Sequence, residues 1–316
     1  MEALPVNKVE IGGQGVADAV PLNWVDRTAP AAWRPYLRLS RADRPIGTWL
    51  LLLPCWWGLS LAAISSGWRW IDLWLYIACT VGAFLMRGAG CTWNDIQDRV
   101  IDASVERTRA RPLAAGQVTL RQATIWMVVQ ALAAFLILLT FNWNAIWLGI
   151  IACIPVAIYP FAKRFTWWPQ FFLGIAFNWG ALLMWVAHTG SIAVAPIYLY
   201  IAGIAWTLHY DTIYAHQDRE DDALIGVRST ARLFGEETQS WLLFFVAIAA
   251  MFAFLAVFLA GAGLLAVGGV LGFGLHMMWQ IRNLDIDDPE VCLFLFRATR
   301  WGGLILFLGL FLDAMI

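Results

Sequence analysis

The chain has 316 residues, of which 61% are hydrophobic and only 14% are charged, and its formal net charge is -1. A soluble domain would carry roughly a quarter of charged residues, so the composition excludes a soluble protein and indicates a polytopic membrane protein. The basic residues flank apolar segments and form no separate basic face, which leaves nucleic-acid binding without support.

Residues 1–37 are predicted to form a flexible cytoplasmic arm, because they hold few apolar residues and include the run Gly12-Gly13-Gln14-Gly15. No apolar stretch with a cleavage site occurs there, so no secretory signal is predicted. The early part of the arm is also poor in arginine, which favours a bacterial inner membrane over the alternative, a mitochondrial inner membrane.

Nine apolar segments follow, each close to the roughly 20 residues that a helix needs to cross a bilayer. Their apolar runs are continuous rather than alternating, which excludes membrane strands and predicts an all-α bundle over residues 38–316. The predicted spans are 46–66, 71–92, 120–141, 144–161, 170–188, 193–213, 239–260, 263–281 and 291–312.

The orientation of this bundle follows from its lysines and arginines. They are concentrated in the arm and in the connections after the second, fourth, sixth and eighth spans, whereas the other side shows only Arg69. The positive-inside rule therefore predicts a cytoplasmic N-terminus, and an odd number of spans places the C-terminus outside. Arg87 is an exception, since it lies within the second span.

Two acidic clusters follow the second and sixth spans, on the side predicted to be cytoplasmic. In the first cluster, Asn94, Asp98 and Asp102 recur every fourth residue, so they share one stripe of a helix, with Asp95 beside them. Aligned carboxylates repel one another and stay ionised together only when cations lie between them. Oxygen ligands without His or Cys favour a hard ion, and Mg²⁺ is the natural choice where phosphate oxygens complete the ligand set.

The second cluster contains Asp211, Tyr214, Asp218 and Asp222, and it loosely repeats the first. Each copy is predicted to end a membrane helix and to open a polar loop. A solvated loop edge is the alternative for either cluster alone. Two clusters in equivalent positions favour a shared site for divalent cations and a pyrophosphate.

Basic residues accompany both clusters, and guanidinium groups bind phosphate oxygens bidentately. Arg107 and Arg111 follow the first cluster and Arg228 follows the second, and these three are interpreted as functional. For Lys163 and Arg164, between the clusters, phosphate binding and a purely topological role are equally favoured.

These residues resemble the motifs of the UbiA superfamily of intramembrane prenyltransferases over roughly residues 38–312. The superfamily's NDxxDxxxD and DxxYAxxDxxxD patterns are matched at Asn94, Asp95, Asp98 and Asp102, and at Asp211, Tyr214, Ala215, Asp218 and Asp222. Residues 41–48 resemble its RxDRPIGT motif, and residues 107–116 its RTxxRPLxxG stretch. Residues 159–166 and 211–218 most resemble the branch that prenylates 4-hydroxybenzoate in ubiquinone synthesis, although Arg228 stands where many relatives have Lys.

The resemblance implies Mg²⁺-dependent transfer of a polyprenyl group from a polyprenyl diphosphate to the ring carbon ortho to the hydroxyl of 4-hydroxybenzoate. Asp211, Asp218 and Arg164 are the implied catalytic residues: Asp211 polarises the phenol or orients metal-bound water, and Arg164 meets the acceptor's carboxylate. The implied metal ligands are Asn94, Asp95, Asp98 and Asp102 for one ion, and Asp218 and Asp222 for a second. The implied substrate-binding residues are Arg44, Arg107, Arg111, Lys163, Arg228 and Tyr214, with Arg44 on the acceptor's carboxylate.

Two alternatives stay open. One is the same superfamily with another acceptor, such as homogentisate, a naphthoate or haem, which only the acceptor pocket would distinguish. The other is a divalent-cation transporter, whose carboxylates should lie near the middle of the spans rather than at their cytoplasmic ends.

Overall fold

The computed structural model describes residues 23–104, 108–219 and 226–316, with all side chains in these ranges except those of residues 101, 104 and 218. The described residues form helices and connecting turns, which confirms the predicted all-α class. The helices are α1 (Trp24–Arg27), α2 (Arg34–Leu39), α3 (Ile46–Ser66), α4 (Trp70–Ser104), α5 (Leu120–Leu138), α6 (Trp143–Ile151), α7 (Cys153–Phe165), α8 (Pro169–Thr189), α9 (Val194–Ala215), α10 (Thr230–Phe234), α11 (Thr238–Leu259), α12 (Leu264–Arg282) and α13 (Pro289–Asp313).

Eight segments of the described chain are long and apolar enough to cross a membrane, one fewer than the nine predicted. The difference is α9, which has 22 residues but carries His209, Tyr210 and Asp211 in its second half. These polar residues lower the mean hydropathy of the helix, although it packs between other long helices of the bundle. The predicted span at 193–213 is thus a helix, but it lies outside this set of eight.

The first acidic cluster was predicted to open a polar loop, but α4 continues through it as a single helix of 35 residues. No Gly or Pro interrupts the chain between Cys91 and Ser104, and the buried Ile96 holds the extension by packing against Leu39 and Ala123. The predicted second span, 71–92, is therefore only part of α4. The second copy differs, since α9 ends at Ala215 and a 3₁₀ turn follows.

The fourth predicted span is divided into α6 and α7, which meet at Ala152. Pro155, in the first turn of α7, has no N–H with which to continue a hydrogen-bond ladder from α6, so the break has a local cause. Pro160 also lies within α7.

The core of the bundle is built around α3, α8, α9 and α13, with Trp57 and Trp206 fully buried at its centre. Glycines allow two close helix contacts. A Cβ added at Gly58 would lie 2.2 Å from the carbonyl oxygen of Ala181, and one at Gly309 would lie 2.6 Å from the Cα of Gly269. Such small residues are typical of membrane-helix interfaces.

At one end of the bundle, the turn between α3 and α4 is fastened to the end of α8. The buried Asp72 accepts a hydrogen bond from the backbone N–H of Arg69 at 2.8 Å, and its other carboxylate oxygen lies 2.6 Å from His188 Nδ1. His188 Nε2 lies 2.9 Å from Ser66 Oγ, and Arg69 donates to the carbonyl of His188 at 2.7 Å. These four residues are called the Asp72 cluster below.

The part of the predicted arm that the structure describes is helical and packed. Asp26 of α1 pairs with Arg38 of α2 at 2.7 Å, and Trp24 Nε1 donates to the carbonyl of Ala42 at 2.8 Å. Ser40 then donates to Gln130 of α5 at 2.9 Å. These contacts attach the arm to the end of the bundle that holds the first acidic cluster, called the polar end below.

Candidate active site

Three carboxylates are buried along one stretch of α4 at the polar end: Asp95, Asp98 and Asp102. Burying an unpaired carboxylate lowers the free energy of unfolding by roughly several kcal/mol, even after local relaxation, so each carboxylate needs a partner. The structure supplies a basic side chain to each of them, from three different segments of the chain.

Asp95 is held by Arg41, which precedes α3. Two parallel hydrogen bonds of 3.0 and 2.5 Å join the guanidinium to the carboxylate. Burial alone would lower the pKa of Arg41, but the neighbouring Asp95 outweighs it and raises that pKa. Among the described residues Arg41 is the one non-glycine with a positive φ, 57°. This conformation costs about 1–2 kcal/mol, and the bidentate pair offsets it.

Asp98 and Asp102 face different bases. Lys163 Nζ lies 2.5 Å from Asp98, and Arg164 lies 3.5 Å from it with about half of its side chain exposed, 47%. Arg111 reaches both oxygens of Asp102, at 3.0 and 2.9 Å, and Asp95 at 3.4 Å. Burial raises the pKa of Asp102 despite Arg111. Arg111 thus links Asp95 with Asp102, whereas Asp98 pairs separately with α7. Together with the pair of Arg41 and Asp95, these contacts are called the ion-pair network below.

A polar cavity of about 470 Å³ opens beside this network, between α3, α4, α9 and α13. Six arginines line it, and Asp211 is the only carboxylate among the described lining residues. Such a surplus of positive charge suits an anion. The arginines are Arg41, Arg44, Arg87, Arg111, Arg297 and Arg300.

An apolar cavity of about 530 Å³ lies further along the bundle, walled by α3 to α8. Its lining is almost wholly aliphatic and aromatic, with Leu138, Phe135 and Met184 among the side chains. Arg87, Tyr159 and Phe177 line both cavities, so the two meet at these three residues. The two adjoining cavities can hold a ligand that has an anionic head group and an apolar tail.

Five predicted site residues line the polar cavity. They are Arg44, Asn94, Arg111, Asp211 and Tyr214. Within this set, Arg44 also pairs with its neighbour Asp43 at 3.2 Å, and the ring of Tyr214 lies 4.3 Å from that of Phe296.

Other predicted residues lie around the cavity rather than in its lining. Lys163 and Arg164 are the partners of Asp98, and neither belongs to the described lining. Arg228 donates to the carbonyl of Phe165 at 3.0 Å and lies over the ring of Trp167, so it stands at the end of α7. Arg107, Asp222 and the side chain of Asp218 lie outside the described residues.

The donor set fits a hard cation better than a soft one. Asn94, Asp98 and Asp102 offer only oxygen atoms along one face of α4, the chemistry that Mg²⁺ requires. No three His, Cys, Asp or Glu side chains in the described ranges are gathered closely enough to form a complete metal site. The first cluster can therefore contribute part of a ligand set, to which phosphate oxygens would have to add.

The arginines from inside the spans were given no role from the sequence. Arg87 lies in the middle of α4, and its guanidinium lies 5.3 Å from the ring centre of Phe177. Its Nε is buried and has no hydrogen-bond partner among the described residues. Its position within an apolar span was the available signal, because an intramembrane charge by default marks a functional site. Arg297 and Arg300 fell in a segment that was assigned only to orientation.

Comparison with known proteins gives a family match over most of the chain. The model of the UbiA prenyltransferase family matches residues 51–309. The mitochondrial 4-hydroxybenzoate polyprenyltransferase of Rattus norvegicus is 47% identical over 292 residues, which cover 92% of this chain and 77% of the relative. The enzyme of the same name from Drosophila pseudoobscura pseudoobscura is 46% identical, over 90% of this chain and 72% of the relative. The one from Arabidopsis thaliana is 43% identical, over 92% and 71%.

Solved structures share the fold. A UbiA homolog from Aeropyrum pernix K1 in its apo form superposes with a TM-score of 0.72 at 24% identity, covering 85% of this chain and 98% of that one. A UbiA homolog from Archaeoglobus fulgidus bound to GPP and Mg²⁺ gives a TM-score of 0.62 at 18% identity, covering 89% and 100%.

Proposed function

Because the chain belongs to the UbiA prenyltransferase family, we propose that it transfers a polyprenyl group from a polyprenyl diphosphate to the ring carbon ortho to the hydroxyl of 4-hydroxybenzoate, a step of ubiquinone biosynthesis. Named relatives at 43–47% identity support this acceptor. The single observation that carries the proposal is the meeting of an arginine-lined cavity and an apolar cavity at Arg87, Tyr159 and Phe177.

The diphosphate lies at the polar end, between Asn94 and Arg111, and the polyprenyl tail extends into the apolar cavity. Arg111 lines the cavity near the leaving oxygens and stabilises the charge that develops there, while Lys163 holds Asp98 in place beside it. Mg²⁺ is the proposed cofactor, and when bound by the first cluster it supplies Lewis-acid neutralisation of the diphosphate. The relative that holds GPP and Mg²⁺ supports this choice of ion.

The acceptor ring lies between Asp211 and Arg87. Asp211 accepts a hydrogen bond from the phenolic hydroxyl, which makes the ring more electron-rich. Arg87 is the better partner for the carboxylate than the expected Arg164, because Arg87 lines both cavities while Arg164 is half exposed outside them. Arg44 lines the same cavity and remains a second candidate.

In the reaction, the allylic C–O bond breaks and its electron pair leaves with the diphosphate. The ring's π electrons then form the new C–C bond, and the ring proton at that carbon passes to the released diphosphate anion. Phe177 and the apolar wall around it keep water from the allylic cation, which would otherwise be hydrolysed.

The chain lies in a membrane, and its location in a particular membrane belongs to this proposal. The expected bacterial inner membrane has no support from the comparisons, since the named relatives are mitochondrial. The mitochondrial inner membrane, the alternative, is the location that they favour. A cytoplasmic or matrix-side position for the polar end rests on the distribution of Lys and Arg alone.

The test is a transfer assay on membranes that contain the protein, with labelled 4-hydroxybenzoate, a polyprenyl diphosphate, and either Mg²⁺ or EDTA. Label that enters the lipid extract only with Mg²⁺, and that is lost in the Asp211→Asn variant, is the expected result. Transfer to homogentisate or a naphthoate but not to 4-hydroxybenzoate would overturn the acceptor and keep the chemistry. Metal flux into vesicles without transfer to any aromatic would overturn the enzyme altogether.

A further inference from the structure

Tyr210 lines the polar cavity, and its hydroxyl group is held in a fixed position by the surrounding residues. It precedes Asp211 on α9, its side chain is 1% exposed, and it lines the cavity. Its ring packs edge-on against Trp206, with centres 5.1 Å apart, and lies 6.0 Å from the ring of Phe296. These contacts leave the ring no room to swing, so the position of its oxygen is set by the fold.

A short chain of hydrogen bonds reaches that oxygen from α8. Asn178 Nδ2 donates to the carbonyl of Gly174 at 2.8 Å and to Thr207 Oγ1 at 2.8 Å, which uses both hydrogens of its amide nitrogen. Thr207 Oγ1 then donates to the Tyr210 hydroxyl oxygen at 3.2 Å. Asn178 is held in turn by the close approach of α9, because a Cβ at Gly203 would lie 2.2 Å from its Oδ1.

The donors in this series of hydrogen bonds leave one hydrogen, that of the Tyr210 hydroxyl group, without an acceptor. The amide hydrogens of Asn178 and the hydroxyl hydrogen of Thr207 are all given to acceptors, so Tyr210 receives a hydrogen bond and must give its own hydrogen elsewhere. Tyr210 donates its hydroxyl hydrogen to no group within residues 23–104, 108–219 and 226–316. Since buried hydroxyl groups are nearly always satisfied as donors, the acceptor is expected in the cavity that Tyr210 lines.

We propose that Tyr210 donates a hydrogen bond to the 4-hydroxyl oxygen of the aromatic acceptor, and that Tyr210 and Asp211 together recognise this group, the first as donor and the second as acceptor. The inference rests on the proposed function and adds a specificity-determining residue to it. Tyr210 selects for an oxygen atom at this position, because an amino nitrogen conjugated to the ring is a poor hydrogen-bond acceptor, while Asp211 accepts from either group. Thr207 and Asn178 are positioning residues that fix the direction of the donation.

The experiment compares two acceptors, 4-hydroxybenzoate and 4-aminobenzoate, in the transfer assay with the intact protein and its variants. Tyr210→Phe keeps the ring and removes the hydroxyl, and it is expected to lower kcat/KM for 4-hydroxybenzoate by about 10- to 100-fold, with 4-aminobenzoate changed less than about threefold. Thr207→Val is expected to shift the preference in the same direction by a smaller factor. Tyr200→Phe is the matched control on the same helix, since its hydroxyl donates to the carbonyl of Ile175 at 3.0 Å and it lines neither cavity.

The outcomes test the role of Tyr210 and the proposed function separately. Equal losses for both acceptors in Tyr210→Phe, or no loss for either, would overturn the role of Tyr210 while leaving the proposed function in place. Transfer to neither acceptor by the unmodified protein would overturn the proposed function and this inference with it. Should Tyr210→Phe fail to accumulate in membranes, Thr207→Val carries the same comparison, and an unchanged acceptor ratio there would count against the proposal.

Discussion

Helix α4 carries a buried carboxylate in its first turn and three more towards its other end. The groups that surround these carboxylates differ between the two ends. Asp72 and Asp102 are about 45 Å apart along the helix axis. At the first end, Asp72 is enclosed by a backbone N–H and a histidine, and it lines neither of the two cavities. At the polar end, basic side chains from distant segments meet the carboxylates at the margin of a cavity.

The difference distinguishes two uses of a buried acid. The Asp72 cluster joins α3, α4 and α8, and its described hydrogen bonds go only to residues of these helices and of the turn between α3 and α4, so its role is to hold the bundle together. At the polar end, Arg111 belongs both to the ion-pair network and to the lining of the cavity. A base shared in this way can exchange a carboxylate for a phosphate oxygen, which a closed cluster cannot do.

The largest expected effect is on transfer, at the polar end. Asp98→Asn should lower prenyl transfer by at least about 100-fold, because it removes a charge from the proposed Mg²⁺ ligands and leaves Lys163 without its partner. Initial rates at saturating Mg²⁺ measure this. Transfer by Asp98→Asn at the rate of the unmodified protein would show that the cluster serves only to anchor α7.

The matched change at the other end should affect stability instead. Asp72→Asn keeps the shape of the side chain but weakens its contact with His188, and we expect the free energy of unfolding to fall by about 2 kcal/mol. Thermal unfolding in detergent, together with the transfer assay at a temperature where the variant is folded, separates the two quantities. A large loss of transfer in the folded variant would contradict the division between the two ends.

The two bases on Asp98 offer a finer comparison within the polar end. Lys163 lies 2.5 Å from the carboxylate, whereas Arg164 lies 3.5 Å away and is half exposed. Lys163→Gln should therefore lower transfer by about 10-fold, and Arg164→Gln by less than about threefold, since exposed ion pairs contribute little. Equal effects in a side-by-side assay would return Arg164 to the catalytic role that was predicted from the sequence.

The smallest effect concerns the length of the prenyl chain. Gly82 lines the apolar cavity, and a Cβ there would meet nothing within 4 Å. Gly82→Leu should lower kcat/KM for a long polyprenyl diphosphate by about fivefold relative to geranyl diphosphate, because the new side chain fills part of the cavity. Gly268→Leu is the control, since Gly268 is equally open but lies on α12, away from the cavity. An unchanged ratio in Gly82→Leu would place the tail elsewhere.

Much of this architecture could be predicted from local sequence. Continuous apolar runs predicted the all-α class. The four-residue spacing of Asn94, Asp98 and Asp102 predicted that they share one face of a helix. Local patterns also misled: the polar residues at the end of the second span were interpreted as a loop, whereas buried Ile96 keeps α4 helical beyond them. Polarity within α9 likewise separates it from the other spans, although it was counted with them.

The contacts that define the site could not be predicted, because they join residues far apart in the chain. Arg41 and Asp95 are separated by 54 positions, and Asp72 and His188 by 116. His188 was assigned no role, since nothing near it in the sequence marks its partner. The role of Tyr210 could not be predicted for a related reason. A tyrosine in an apolar helix is usually a core residue, and only its hydrogen-bond partners distinguish it from one.

The ion pairs at the polar end also bear on how the protein is made. Arg41, Arg111 and Lys163 already balance the charges of Asp95, Asp102 and Asp98, so the chain carries its own counter-ions into the bilayer. Its biogenesis need not wait for a cofactor, unlike that of domains that stay unfolded until a metal is bound. Newly inserted protein can therefore accumulate in a metal-poor compartment and be loaded later. Protein prepared in chelator should still unfold in one cooperative thermal transition.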